Sequence, residues 1–198
     1  FKKIIKLNYD YIIFIDCDDL MHKKRAEDIF KKIKNKDFLV NNLIPFRNKK
    51  IFKKIIHKKN KKIELKQILD KNYIGNSTLT IKSKCLKRIM KFLNYKLIAF
   101  DWNIATNLLL NKFKGIYEDK IISFYRQHNQ NVHNKFKSKE KVFQNIQIKK
   151  NHYEFFKKRD KIFEKKLNSL RSFEKKFLND PTKFSKKKYE KYHKWWIL

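Results

Sequence analysis

Three carboxylates crowd into one short stretch, Asp16-Cys17-Asp18-Asp19, directly after the apolar run Tyr11-Ile-Ile-Phe-Ile15. Side chains alternate along an extended backbone, so Asp16 and Asp18 share one side and Cys17 takes the other. Two acids side by side repel, and a divalent cation carrying a phosphorylated substrate relieves that repulsion. Mn²⁺ or Mg²⁺ is therefore the cofactor expected here. The purely structural alternative is a charged turn in which Asp19 caps the following helix. A second acid, Asp101, stands among Leu97, Ile98, Ala99, Phe100 and Trp102. An acid in such company is a helix cap, a proton acceptor, or both. Desolvation raises its pKa towards the range useful for general-base work. A third group, Tyr125-Arg126-Gln127-His128, sets a permanent cation beside an imidazole that can ligate a metal or donate to a phosphate. His22, His57, His133, His152 and His193 have no partner at ligand spacing and read as surface residues. Glu118 and Asp119, beside Lys120, read as solvated.

Strands and helices alternate around these residues. Tyr9 to Asp16 is β-rich and almost wholly apolar, as suits a central strand buried on both faces of a parallel sheet. His22 to Ile33 carries Ala26, Ile29, Phe30 and Ile33 at helical spacing. Phe38 to Ile44 is a strand that Pro45 should stop. Ile51 to Lys62 is ambiguous between a lysine-rich loop and a short helix. Ile63 to Leu69 is helical and leads into the turn Asn72-Tyr-Ile-Gly75-Asn76-Ser77. Ser77 to Lys82 reads as a strand, Cys85 to Leu93 and Trp102 to Asn111 as helices, and Ile116 to Tyr125 as a strand after a turn at Gly115. The pattern predicts α/β layering. Beyond Asn131, Val142, Phe143, Ile146, Tyr153, Phe156, Phe163, Leu167, Leu170, Phe173 and Phe177 recur at helical spacing amid dense lysine. They predict two or three amphipathic helices, broken at Asn179-Asp-Pro-Thr182, and a division into a domain of residues 1–131 and a lysine-rich extension of residues 132–198.

Composition narrows the classes. The chain has 198 residues, a net charge of +33, and a hydrophobic fraction of 41% with 15% aromatic. That is enough apolar side chain for one core, and it excludes a wholly disordered polybasic tail. No apolar run reaches the length of a transmembrane helix. Cys17 and Cys85 suit neither a disulfide framework nor a zinc site, so a reducing cytoplasm is the expected setting. Gly and Pro number only 2 each while Lys, Ile, Asn and Phe are abundant. Those are residues of A/T-rich codons, so the charge reads mainly as scattered solvated lysine rather than a specific nucleic-acid groove. The ending Trp195-Trp196-Ile-Leu198 either docks on the domain or lies on an anionic membrane.

Four segments in order resemble family-2-like glycosyltransferases of the GT-A fold. They are Phe14-Ile-Asp-Cys-Asp-Asp19, Asn72-Tyr-Ile-Gly-Asn-Ser-Thr78, Ala99-Phe-Asp-Trp102 and Tyr125-Arg-Gln-His-Asn-Gln-Asn131. The resemblance spans Tyr9 to Asn131. It implies a partial GT-A-like, Rossmann-like mixed sheet flanked by helices, followed by the C-terminal helices. It also implies that Asp16, Asp18 and His128 hold the metal on a nucleotide-sugar donor. Asp101 would be the catalytic base of an inverting transfer to a glycan or lipid-linked acceptor, with Asp19, Gly75, Asn76, Trp102 and Arg126 contacting substrate. The family's first strand and helix should precede the Asp-x-Asp by many tens of residues. The chain is therefore expected to be the C-terminal part of such a domain, without its N-terminal nucleotide-binding half. Lys23 stands near the place of a proline common in the family, and Asn107 where many relatives carry Arg. The expected setting is the cytoplasm, at the periphery of the inner face of the cell membrane. Two other classes fit parts of the pattern: a basic nucleic-acid-binding module and a haloacid-dehalogenase-like phosphatase, whose Asp-x-Asp also ends a strand. In the latter, Thr or Val usually follows where this chain has Asp19 and Leu20, and the downstream Lys and acidic pair have no match.

Overall fold

The computed structural model describes residues 1–48, 50–52, 62–128 and 139–179. In chain order the elements are α1 (Lys2–Lys6), β1 (Tyr11–Ile13), β2 (Leu20–Met21), α2 (Arg25–Ile33), β3 (Phe38–Arg47), β4 (Lys50–Ile51), β5 (Lys62–Ile63) and α3 (Leu65–Ile68). There follow β6 (Leu79–Lys82), α4 (Ser83–Ile89), α5 (Phe100–Leu110), β7 (Gly115–Arg126), α6 (Lys139–Phe156) and α7 (Lys161–Asn179), with short 3₁₀ turns at Asn76–Thr78 and Met90–Phe92. The predicted Ile51 to Lys62 segment, the break after Asn179 and the Trp195-Trp196 ending lie largely or wholly outside the described residues.

The sheet is mixed, in the order β1-β6-β3-β7-β2, with β4 added to β3 and β5 to β7. Only β3 and β7 run parallel; β6 is antiparallel to both β1 and β3. β3 is buried from Phe38 to Leu43 and divides its side chains between two cores. Leu39 joins Ile29, Ile33 and Ile121 beneath α2. Phe38 and Val40 point the other way, into a larger core shared with α3, α4, α5 and the α6–α7 pair. Alternation along one strand therefore supplies both faces of the sheet. At the start of the parallel pair, Gly115 lies opposite Phe38. A Cβ at Gly115 would sit 2.1 Å from the Phe38 ring, so the residue is fixed by close approach rather than by a turn.

The α/β architecture agrees with the sequence reading, and four local expectations are corrected. β1 ends at Ile13 and is half-buried in an antiparallel pair, because it pairs only with β6 in the described sheet. Pro45 does not stop β3. A strand residue's N–H and C=O share one side, and the Pro45 carbonyl accepts the Phe52 amide, so the missing donor faces the short β4 side and takes nothing from the pairing with β7. The buried stripe of α2 is Arg25, Ile29 and Ile33, with Ala26 and Phe30 outside it. Glu118 is buried rather than solvated, at 7% exposure. Among the described residues, no helix is long and apolar enough to cross a membrane.

Candidate active site

β1 and β7 reach the same pole of the sheet, where the chain runs from β1 at one edge to β2 at the other. This crossing segment is the acidic loop. The loop leaves the ladder after Phe14, whose amide still donates to the Leu79 carbonyl. At Asp16 it is clamped by the 3₁₀ turn before β6. The Asp16 amide donates to Ser77 Oγ at 2.9 Å, Asn76 Nδ2 donates to Asp16 Oδ1 at 3.0 Å, and Ser77 Oγ donates to Oδ2 at 3.3 Å. Gly75 starts that turn, and its carbonyl accepts from the Thr78 hydroxyl.

The end of β7 holds the other half of the loop. The Arg126 amide donates to Asp19 Oδ1 at 2.9 Å, and its side-chain Nε donates to the Asp18 carbonyl at 2.8 Å. The Arg126 guanidinium lies 4.8 Å over the Phe46 ring. His128 Nε2 is 2.9 Å from Asp18 Oδ2, in a pair left 36% and 40% exposed. Such an open pair contributes little stability, but it keeps a carboxylate and an imidazole facing each other at the surface. Asp19 is buried, and burial pushes its carboxyl up to about 6. The Ser77 hydroxyl and the Arg126 amide pull the other way, and the charges of Asp16 and Asp18 push further up.

Asp101 lies in the first turn of α5, one residue after its start, with Ala99 at the N-cap. The Trp102 amide donates to Asp101 Oδ1 at 2.6 Å. Burial raises the Asp101 carboxyl to about 7, and the charge of Asp16 adds to the rise, which places this acid in the electrostatic neighbourhood of the loop. The sequence reading of Asp101 as a helix cap is corrected: the helix starts at Phe100, and Asp101 sits inside its first turn, where burial leaves the carboxyl near neutrality.

The structure thus gathers Asp16, Asp18, Asp19, Gly75, Asn76, Asp101, Arg126 and His128 at one pole. Trp102 goes elsewhere: it is 1% exposed, its indole N–H donates to the Ile68 carbonyl, and its ring stacks on His152 at 3.8 Å. His152 is the corresponding correction to the sequence reading. It is buried, held by Thr106 Oγ1 at 3.1 Å, and burial drives its pKa well below the ordinary value, so it is neutral. Sequence reasoning also passed over Arg25, Asn41 and Ser123. The spacing of Arg25 with Ile29 and Ile33 was the available signal, since i, i+4, i+8 defines one helix face.

The chain is thus a mixed α/β sheet with helices on both faces and a polar pole at its C-terminal strand ends. The crystal structure of residues 1–349 of S. aureus TarS in complex with UDP-GlcNAc has this fold, matching with a TM-score of 0.54 at 13% identity. The match covers 77% of this chain and 44% of that one, so the chain spans under half of the TarS structure. No family model and no curated protein sequence matches the chain.

Proposed function

We propose that this chain carries the metal and acceptor half of a family-2-like glycosyltransferase. The reaction is transfer of a sugar from a nucleotide-diphosphate donor to a hydroxyl of a glycan or lipid-linked acceptor, with inversion. One observation carries the reading: a near-neutral carboxyl, an acidic loop and an Arg–His pair converge on the C-terminal pole of a sheet, where open α/β folds bind their ligands. In this reading Asp101 takes the proton from the acceptor hydroxyl. That oxygen attacks the anomeric carbon, the bond to the diphosphate oxygen breaks, and the electron pair leaves with the nucleotide diphosphate. Arg126 offsets the charge of the leaving group directly, His128 through the ion it would help to hold, and Asn76 and Ser77 hold the loop in place.

The donor set suits Mn²⁺ or Mg²⁺. Among the described residues no three His, Cys, Asp or Glu side chains form a ready metal cluster. The open Asp18–His128 pair, with Asp16 locked beside it, is the fit, and diphosphate oxygens and water would complete the shell. The ion would supply positive charge to the donor diphosphate. The acceptor is proposed to lie at an anionic membrane surface, where the +33 charge favours peripheral contact. Nucleic-acid binding is expected to be weak and lost in modest salt, as suits scattered lysines.

The test is release of nucleotide diphosphate from a panel of nucleotide sugars that includes UDP-GlcNAc, by the protein containing this chain. Expected is turnover that EDTA abolishes and that Asp18→Asn removes without unfolding. Full activity in EDTA would refute the metal role, and hydrolysis of simple phosphate monoesters instead would favour the phosphatase alternative.

A further inference from the structure

The interior beneath the acidic loop contains a cation. Arg25, the first residue of α2, is fully buried at 0% exposure. Its Nε donates to Asn41 Oδ1 at 3.1 Å, and its two terminal nitrogens have no hydrogen-bond partner among the described residues. Asn41 sits where the β3–β7 register slips between Asn41 and Asn42, a bulge that re-aims its side chain. From there hydrogen bonds lead to the loop. Asn41 Nδ2 donates to Ser123 Oγ at 3.0 Å, Ser123 Oγ donates to the Ser77 carbonyl at 2.5 Å, and Ser77 Oγ holds Asp16. Asp19 is buried too, 7% exposed, with an Oδ2 that has no hydrogen-bond partner among the described residues. The Asp19 charge favours the charged form of Arg25, while burial, the larger effect, lowers the guanidinium to about 10 and leaves it protonated at neutral pH.

Packing does not explain this residue. An apolar side chain of similar volume in such a place stabilises a fold at least as well as a buried ion with one hydrogen bond. The loop above supplies a reason: Asp16, Asp18 and Asp19 lie within four positions, and their mutual repulsion is greatest when no divalent ion is bound. We infer that Arg25 is a positioning residue, a built-in cation that holds the acidic loop assembled before metal and donor arrive. It acts on Asp19 through charge and on Asp16 through the Asn41–Ser123–Ser77 chain. The inference deepens the proposed function and rests on it for the role of the loop.

Amide hydrogen exchange on the full chain without metal, and Mn²⁺ titration followed by electron paramagnetic resonance, test it separately. Arg25→Met is expected to speed exchange at the Asp16 and Asp19 amides by about tenfold or more, and to leave the Val40 and Leu43 amides of β3 unchanged. Mn²⁺ affinity should fall by about tenfold. Arg25→Lys, which keeps the charge, should stay within about threefold of the parent in both. Unchanged loop exchange in Arg25→Met, or equal losses in the Met and Lys variants, would overturn the inference. A parent chain that binds no Mn²⁺ would refute the metal reading and leave the exchange result to judge Arg25. If Arg25→Met fails to fold, the double variant Arg25→Met with Asp19→Asn decides. Recovery of cooperative unfolding shows the lone buried carboxylate was at fault and supports the charge coupling. No recovery means Arg25 only packs, which overturns it.

Discussion

At the polar pole, Asp16, Asp18, Asp19, Arg126 and His128 contact one another or the backbone, and all but Asp19 stay partly open. Asp19 and Asp101 are held above the ordinary carboxylate range. Behind the sheet, α6 and α7 bring Tyr153, Phe156, Phe163, Leu167, Leu170, Phe173 and Phe177 into the core that contains Trp102, Ile104 and Leu108. There the polar atoms that remain are mostly paired: Tyr153 Oη donates to the Leu69 carbonyl at 2.7 Å, and the Trp102 indole to that of Ile68. α5 belongs to both regions. Its Asp101 faces the pole, and the next residue, Trp102, stacks on His152. The comparison separates two uses of burial. Around Trp102 it accumulates dispersion and hydrophobic stabilisation, whereas around Asp101 and Asp19 it raises the free energy of a charge and so moves its titration towards neutral pH.

Substitutions can break that division, starting where the effect is greatest. Trp102→Ala removes the ring that joins α5 to the hairpin and should cost about 3–5 kcal/mol, measured by chemical denaturation. Asp101→Asn should leave the fold intact and lower turnover at least about 100-fold, with donor affinity preserved. Near-normal turnover would reduce Asp101 to a first-turn acid of α5. In the parent, turnover should rise with pH and level off above about 7, because the base must be ionised.

Stability should run the opposite way. In the folded state Asp101 keeps its proton up to about 7, and in the unfolded chain it loses it near 3.8. Folded protein therefore binds the extra proton between those values, and its stability falls as pH rises through that window. Asp101→Asn removes this loss. Its melting temperature should match the parent near pH 3.5, exceed it increasingly up to pH 7, and keep a constant advantage above. At the small end, Glu27→Gln breaks an exposed ion pair with Lys31 and should leave the melting temperature unchanged.

Much of the architecture was legible because the hydrophobic periods were clean. The α7 stripe Phe163, Leu167, Leu170, Phe173, Phe177 is read correctly from spacing alone, and all five are buried. The failures have physical causes. The α2 stripe was assigned by hydrophobicity, which chose Phe30 over Arg25, because the groups that accompany the buried arginine are Asn41, sixteen positions on, and Asp19, outside the helix. His152 looked like a surface residue because its partner, Trp102, is fifty positions upstream, and ring stacking leaves no local pattern. β1 looked like a strand buried on both faces because its run is apolar, yet burial depends on neighbouring strands that a single segment does not specify. The acids of the pole were the reverse case: their types and local spacing marked them before any contact was known.

The hydrogen bonds of the pole join residues far apart in the chain, with separations of 61 between Asp16 and Ser77 and 110 between Asp18 and His128. The α6–α7 hairpin joins neighbours across a short connection. Closing long loops costs entropy that only the finished contacts repay, so non-local structure forms late. Refolding should therefore recover helical circular dichroism first and the environment of the acidic loop last. A chain interrupted during synthesis before Arg126 would contain the first acids and yet lack the residue whose amide and guanidinium hold them. The apolar body of the protein is thus a prerequisite in time as well as in space, with the acidic pole as the final part to be assembled.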